Sequence, residues 1–336
     1  MLPLFKVIEG RIAMELLGLH HVSLITGKAE KNYQFFTKVL GMRLVKKTVN
    51  QDNTRSYHLF YGDANGSPGT EVTFFDIPMA GRTYPGVSSI SSISLRVKNT
   101  DSLLYWKERF TQLNVSHEDV KKRAGRDTLA FQDEEGTRMV LVADNEEEGV
   151  APGEAWEQSE VPKEHGIIGL GPVTLTVANA EPTARVLTEL LGFREEGSYP
   201  SITGEHPDIR VFATGKGGAG AEVHVETRPD LPKERPGRGS VHHVAFRVPT
   251  MEDYDQWAKR LQESGLRHSG KVERYYFKAL YFRELNDILF ELSTDEPGFD
   301  VDEPIESLGE RLALPPFLEP RRQEIEENLR PLVLDD

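Results

Sequence analysis

The sequence predicts an α+β protein built from four βαβββ modules, and three observations lead to this prediction. The chain has 336 residues, a length that suits two domains or one fused pair, and its 38% hydrophobic content is typical of a globular protein. An apolar, strand-like segment recurs along the chain, at 18–26, 89–97, 169–177 and 239–248. After each copy comes a segment with helical periodicity, and further strand-like segments follow that helix.

Each element of the module has its own signal in the sequence. The first strands read GLHHVSLIT, SISSISLRV, GLGPVTLTV and GSVHHVAFRV. Apolar residues then recur at steps of three and four in the predicted helices, which span 28–41, 101–113, 181–192 and 251–265. Gly41, Gly192 and Gly265 stand where those helices would stop. Three strand-like stretches, separated by Gly- and Asp-rich turns, complete each module.

The modules divide the chain into two pairs. The sequence predicts an N-terminal pair of modules over 1–147 and a C-terminal pair over 169–296. Residues 148–168 have no periodicity and many charges, so they are interpreted as a linker. The tail at 297–336 is rich in Pro and Glu and is expected to contain one short helix flanked by prolines.

Composition narrows the possible functions. With 40 Lys and Arg against 54 Asp and Glu, the formal charge is −14, which disfavours binding to nucleic acid or to an anionic membrane surface. The chain contains no cysteine, so disulfides, Cys-ligated metals and thiol nucleophiles are excluded. No apolar run is long enough to span a membrane, and the segment MLPLFKVIEGRIAMELLGLHH does not look like a signal peptide. We therefore expect a cytoplasmic protein in which His, Asp, Glu or backbone oxygens hold any metal.

Two motifs contain residue types that are typical of binding sites. GKGGAG at 215–220 has the glycine spacing of a dinucleotide loop, but it lies between two strand-like segments and is interpreted as a hairpin turn. Two HHV triplets occupy the same position in the first and last modules, at 20–22 and 242–244. The middle modules carry Ser92 and Pro172 in place of the second histidine, so duplication alone does not explain the pairs. One imidazole of each pair is therefore a candidate metal ligand, with satisfied core histidines as the alternative.

A carboxylate completes the candidate metal site. Glu291 lies inside the apolar strand ILFELS, where a glutamate is costly to bury unless it is paired or metal-bound. The alternative is an outward-facing residue on an edge strand. Two neutral imidazoles and one carboxylate form the facial triad that holds Fe(II) with open coordination positions. His224 has the equivalent position in the third module without a histidine at Pro172, so it is interpreted as structural.

The chain resembles the vicinal oxygen chelate superfamily, and within it the dioxygenases that open the ring of para-hydroquinones. The resemblance covers nearly the whole chain and rests on LHHVSLITG, FFTKVLGMRLVKKTVN, YHLFYGD, GSPGTEVTFF, GSVHHVAFRV, RYYFKALYFRE, LFELSTDEPGF and LPPFLEPRR. It implies that the modules form two curved-sheet cups, in which modules one and four close around the metal. Modules two and three would form a partner cup without metal.

The resemblance also implies the site residues. The ligands of Fe(II) would be His21, His243 and Glu291, and a purified sample could carry Zn, Mn or Ni instead. The preceding histidines, His20 and His242, would lie beside the bound aromatic ring.

Two further residues would face the substrate according to the same resemblance. Tyr281 would donate a hydrogen bond, and Arg274 would hold a distal hydroxyl. A core tyrosine and a surface cation are the alternatives for these two residues. Ser23 shares the strand face of His21 and is a further candidate for the pocket.

The implied function is an Fe(II)-dependent, extradiol-type dioxygenase that opens a substituted para-hydroquinone, or a catechol, with O2 in aromatic degradation or quinone detoxification. Its partners would be a small aromatic substrate and O2, with no nucleic acid or membrane, and assembly into a homo-oligomer stays open. One alternative is a non-oxidative, glyoxalase-like isomerase or transferase, which would need a fourth ligand in the stretch TEVTFFD. The other alternative is a metal-free binding protein.

Overall fold

The computed structural model describes residues 14–332 and 334, and the first and fourth modules have the predicted order of elements. The N-terminal segment MLPLFKVIEGRIA, in which no signal peptide is expected, lies outside these residues. The first module consists of β1 (Leu19–Thr26), α1 (Ala29–Gln34), β2 (Arg43–Asn50), β3 (Asn53–Gly62) and β4 (Glu71–Asp76).

The second module has one more short strand than predicted. It consists of β5 (Ser89–Val97), α2 (Thr100–Gln112), β6 (Ser116–His117), β7 (Lys121–Arg123), β8 (Arg126–Gln132) and β9 (Arg138–Ala143). The basic segment that forms β7 pairs only with β8. This strand is a side branch and leaves the order of the other strands unchanged.

The third and fourth modules follow the predicted pattern. The third consists of β10 (Ile167–Val177), α3 (Ala180–Arg185), β11 (Arg194–Tyr199), β12 (Ile209–Ala213) and β13 (Glu222–Thr227). The fourth consists of β14 (Val241–Val248), α4 (Met251–Ser264), β15 (His268–Glu273), β16 (Lys278–Arg283) and β17 (Leu289–Thr294). The GKGGAG segment connects β12 to β13, which pair in antiparallel fashion, so its interpretation as a hairpin connection is confirmed.

The helices end where their glycines predict. In the first and third modules the α-helix passes into one π-helical turn, at Phe35–Val39 and Val186–Leu190. Gly41, Gly192 and Gly265 then have φ angles of 68°, 77° and 74°, which only glycine adopts at low cost. None of the helices in the described part of the chain is long and apolar enough to cross a membrane.

Two sheets form the cups, and each cup combines a module from either half of the chain. The first cup joins modules one and four in the strand order β15-β16-β17-β14-β1-β4-β3-β2. The second cup joins modules two and three in the order β11-β12-β13-β10-β5-β9-β8-β6. The antiparallel pairs β1–β14 and β5–β10 join the modules within each cup. The expected pairing of modules one and four is therefore confirmed.

The tail covers the outer strand of the first cup. Leu314, Leu318 and Ile325 are buried together with Val49 of β2, and α5 (Arg322–Asn328) lies where the sequence analysis expects a short helix. The buried Lys46 ammonium of β2 donates hydrogen bonds to the backbone and carboxylate oxygens of 299–303. The edge of the sheet is thereby protected from pairing with another strand.

Candidate metal centre

Three side chains of the first cup converge on one point. His21 lies on β1, His243 on the adjacent β14 and Glu291 on β17, which runs parallel to β14. The Nε2 atoms of the two histidines are 3.3 Å apart, and Glu291 Oε2 lies 3.3 Å from His21 Nε2 and 2.8 Å from His243 Nε2. All three residues are buried. Among the described residues, this is the one group of His, Asp and Glu donors close enough together to hold a metal ion.

The charges and lone pairs of this group fit a cation. Ser293 Oγ donates a hydrogen bond to Glu291 Oε1 at 2.6 Å, whereas the buried Oε2 receives none. Burial alone would raise the pKa of Glu291, but His21 and His243 outweigh it and hold this pKa well below its usual value. Burial also lowers the pKa of His243, which favours the neutral imidazole. An ionised carboxylate facing imidazole nitrogens in a buried site is the donor set of a divalent metal.

Each histidine of this group is oriented by the histidine that precedes it. His20 Nε2 lies 3.1 Å from the carbonyl oxygen of Thr294, which only accepts, so this nitrogen carries the proton. His20 Nδ1 is then the acceptor for His21 Nδ1–H at 2.9 Å, and the lone pair of His21 Nε2 is left for the metal. His242 Nδ1 lies 2.8 Å from His243 Nδ1 in the second pair. Burial lowers the pKa of both preceding histidines to about 3, so both are neutral.

A cavity of about 300 Å³ opens at the candidate metal site, and most of the predicted substrate residues line it. The lining includes Ser23, His242, Arg274 and Tyr281. His20 does not line it, which differs from the expectation that it would lie beside the substrate. The ring of His20 instead packs 5.5 Å from the ring of Phe277, and its Nε2 donates to the carbonyl oxygen of Thr294.

Tyr281 and Arg274 form a hydrogen-bonded pair at the side of the cavity. Arg274 Nε donates to the Tyr281 hydroxyl oxygen at 3.2 Å, and Arg274 Nη2 donates to Asp52 Oδ2 at 2.9 Å. Gln51 Nε2 donates to the Arg274 carbonyl oxygen at 2.7 Å. Burial raises the pKa of Tyr281, so the phenol keeps its proton at neutral pH. Because its oxygen already accepts from Arg274, the Tyr281 O–H is free to donate.

The cavity also contains residues that the sequence analysis did not single out. Phe60 and Phe75 flank the ring of His58 at centroid distances of 4.0 and 4.2 Å. His58 Nε2 lies 2.9 Å from Thr73 Oγ1, and burial lowers the pKa of His58 well below its usual value. Ser23 Oγ lies 2.7 Å from the same Thr73 oxygen. A lone histidine on a strand carries no local signal for this placement.

Thr73 has the position in the first module that Glu291 has in the fourth. Thr73 of β4 pairs with Ser23 of β1, and Glu291 of β17 pairs with Ala245 of β14. Ser23 and Ala245 each come two residues after a ligand histidine. The fourth position of the site therefore carries a hydroxyl group that is hydrogen-bonded to Ser23 and His58. Alignment of the repeats could have identified this position.

The second cup differs at every ligand position. His224 of β13 lies 3.0 Å from the Tyr199 hydroxyl and 2.9 Å from Glu222 Oε2, and Arg126 binds the same carboxylate. Ser92 and Pro172 stand where the first cup has its ligand histidines. The contacts of His224 are those of a residue that holds neighbouring strands together, in keeping with its structural interpretation.

Comparison with known proteins defines the family. The sequence profile of the glyoxalase/bleomycin resistance protein/dioxygenase superfamily matches residues 18–141 and 169–299, so the chain belongs to that superfamily and the predicted fold is confirmed. The Bacillus subtilis (strain 168) protein MhqA, named as a ring-cleaving dioxygenase, is 55% identical over 319 residues, which cover 95% of this chain and 100% of MhqA.

Two further similar proteins are also named or described as dioxygenases. The chlorohydroquinone/hydroquinone 1,2-dioxygenase of Sphingobium indicum is 32% identical over 319 residues, which cover 92% of this chain and 94% of that protein. A solved structure of a Bacillus subtilis protein described as a dioxygenase matches with a TM-score of 0.86 at 33% identity and covers 96% of this chain and all of its own. Within the superfamily, the chain belongs with the ring-cleaving dioxygenases.

Proposed function

We propose that this protein is an Fe(II)-dependent, extradiol-type dioxygenase that opens the ring of a substituted para-hydroquinone with O2. The observation that carries the proposal is the buried group of His21, His243 and Glu291, with the unpaired Oε2 of Glu291, at an aromatic-lined cavity. The name of the Sphingobium relative, a chlorohydroquinone/hydroquinone dioxygenase, supports the substrate class.

The donor set supports Fe(II) as the resident metal. His21, His243 and Glu291 would hold it, and the hydroxyl of Thr73 at the fourth position is occupied by hydrogen bonds to Ser23 and His58. A site with two imidazoles and one carboxylate leaves positions open for substrate and O2. When bound, Fe(II) supplies the redox path between an aromatic ring and O2 and lowers the pKa of a coordinated hydroxyl group.

The residues of the cavity orient an aromatic ring. Phe60, Phe75, Phe277 and Tyr276 supply apolar and aromatic walls, and a volume of about 300 Å³ suits a small substituted ring. Arg274 lies at the side of this space, and its Nη1 group has no hydrogen bond within residues 14–332 and 334. This group would hold the distal hydroxyl of a hydroquinone, which a catechol lacks.

Tyr281, His242 and His58 are the cavity residues that could give or take a proton during the reaction. Tyr281 lines the cavity, and its hydroxyl oxygen accepts from Arg274, so its O–H would donate to a bound substrate. If His243 binds metal through Nε2, its Nδ1–H donates to His242 Nδ1, and the proton of His242 is then on Nε2. His58, held by Thr73, is a neutral imidazole in the same cavity. General acid–base assistance would come from these groups.

A non-oxidative, glyoxalase-like reaction has less support. That alternative needs a fourth carboxylate or imidazole ligand from β4, where the equivalent residue is Thr73. The other carboxylate at this end of β4, Glu71, is buried with its Oε2 3.8 Å from His20 Nδ1, and burial raises its pKa well above the usual value. Glu71 lies outside the group of His21, His243 and Glu291 and is not a metal ligand in this arrangement.

Oxygen uptake with metal-loaded protein tests the proposal. The protein is stripped of metal, reloaded anaerobically with Fe(II) or Zn(II), and assayed with matched hydroquinones and catechols while ring opening is followed by absorbance. We expect O2 consumption and ring opening only with Fe(II), and faster turnover of the hydroquinones. Full activity of the zinc-loaded protein would refute a dioxygenase, and a preference for catechols would refute the substrate assignment.

A further inference from the structure

The second cup contains a cavity of its own. Its volume is about 270 Å³, close to the roughly 300 Å³ of the cavity at the metal centre. Because Ser92 and Pro172 replace the ligand histidines and His224 is bonded to Tyr199 and Glu222, this cavity offers no comparable metal site within residues 14–332 and 334. Its apolar wall consists of Phe131, Met139, Val140, Ile202 and Ile209.

A row of polar side chains crosses five strands of the second cup beneath this cavity. The row consists of Thr174 and Ser92, which pair between β10 and β5, and of Arg138, Gln132 and Ser116, which pair from β9 to β6. Ser92 and Arg138 each come directly before the paired residues Ile93 and Met139 of β5 and β9. Residues in register on adjacent strands project from the same face, with Cβ atoms about 4.5–5.5 Å apart, and all five line the cavity. In the described part of the chain, none of these five side chains has a hydrogen-bond partner. We call this set the polar row.

Arg138 is the centre of the polar row, and its guanidinium makes no hydrogen bond or close ion pair with the described residues. The residue is partly buried, and burial lowers the pKa of its guanidinium despite the longer-range influence of Glu234 and Glu226. No carboxylate among the described residues lies within 4.0 Å of it. Glu226 already accepts a hydrogen bond from Thr176 Oγ1 at 2.8 Å. A partly desolvated guanidinium that lacks a direct hydrogen-bonded carboxylate is unfavourable, and a bound anion would relieve that cost.

We propose that the second cup binds a small monocarboxylate with an aromatic or apolar body, and that the carboxylate pairs with Arg138. A guanidinium forms two parallel hydrogen bonds with a carboxylate, and Ser92 and Gln132 flank it as further donors. The apolar wall receives the body of the ligand. Arg123 also lines the cavity, but it pairs with Glu118. The carboxylate of Glu226 lies in the same cavity as Arg138 and disfavours a dianion such as inorganic phosphate. The site lies on the other sheet from the metal centre and does not depend on the proposed function.

Fluorine NMR with 4-fluorobenzoate tests this site in the full-length protein. Wild-type protein is titrated beside Arg138→Gln, Arg138→Lys and Glu291→Gln, the last of which alters the metal centre. We expect saturable binding that weakens about tenfold or more in Arg138→Gln, the loss expected for a charge-assisted hydrogen bond, and less in Arg138→Lys. Glu291→Gln should bind the probe as wild type does, and inorganic phosphate should not displace it.

Several outcomes would overturn the proposal. These are no saturable binding by the wild type, equal binding by Arg138→Gln, loss of binding in Glu291→Gln, or displacement by phosphate. Glu226→Gln is the second test, because removing that carboxylate from the cavity should strengthen binding of the probe severalfold. Thermal unfolding of each variant shows that it is folded. If Arg138→Gln does not fold, the comparison of Arg138→Lys and Glu226→Gln with wild type decides the result.

Discussion

Replacement of Glu291 by glutamine removes the only negative charge from the group of metal donors while keeping its shape. The amide oxygen can still accept the hydrogen bond from Ser293 Oγ, which lies 2.6 Å from Glu291 Oε1. The other carboxylate oxygen faces His21 and His243 Nε2 at 3.3 and 2.8 Å without receiving a hydrogen bond. We therefore expect the variant to fold and to lose its metal.

The size of the effect follows from the charges. At an effective dielectric constant of about 20, two unit charges about 4 Å apart interact by about 4 kcal/mol, and a divalent ion feels about twice that. If the amide recovers half of this attraction, the remaining loss of about 4 kcal/mol weakens Fe(II) binding about a thousandfold. Free Fe(II) at about 100 times the wild-type Kd stabilises the wild type by about 2.7 kcal/mol, but the variant by less than about 0.1 kcal/mol.

Anaerobic thermal unfolding with and without Fe(II) measures this difference. With an unfolding entropy of about 2.1 cal/mol/K per residue, 2.7 kcal/mol corresponds to a rise in Tm of about 4 °C for 336 residues. Glu71→Gln is the matched control, because Glu71 is also buried, has an unbonded Oε2 and a raised pKa, and lies outside the group. A full Tm rise and stoichiometric iron in Glu291→Gln, or their loss in Glu71→Gln, would refute the reasoning.

Three further predictions concern the metal, the substrate and the fold. Zinc-loaded or air-oxidised protein should consume no O2 until Fe(II) and a reductant are supplied, and activity with zinc alone would contradict this. Arg274→Ala should lower kcat/KM for hydroquinones about ten- to a hundredfold, the equivalent of ~1.4–2.8 kcal/mol, and change catechol turnover little; equal losses would argue against a contact with the distal hydroxyl. Although burial alone would raise it, hydrogen bonds from His224 and Arg126 lower the pKa of Glu222 from 4.5 to about 2. This stabilisation is present above pH 4.5 and is lost as the pH falls toward 2. Glu222→Gln should therefore lower the free energy of unfolding by about 3 kcal/mol at pH 7 and make it depend less on pH in the acid range, as measured by chemical unfolding. An unchanged pH dependence would contradict this prediction.

Much of the metal group could be predicted from local patterns. The HHV triplets occupy equivalent strands of the first and fourth modules, and Glu291 interrupts an apolar strand where burial demands a partner. Recognising these signals requires only the alignment of the four modules and the two-residue alternation of side chains along a strand. The cavity residues His58 and Asp52 carry no such signal. His58 reaches the site because β3 pairs with β4, and Asp52 because the turn after β2 meets Arg274 from the fourth module.

The sequence by itself determined the four modules, their helices and the chemistry of the metal donors, because hydrophobic periodicity, helix-stopping glycines and costly buried polar groups are local properties. Only the tertiary structure decided which contacts those residues make across the first cup. It turned His20 toward the Thr294 carbonyl, placed Thr73 at the fourth position, and paired Arg274 with Asp52. The physical reason is that residues far apart in the chain meet only through strand order and register, which no local pattern contains.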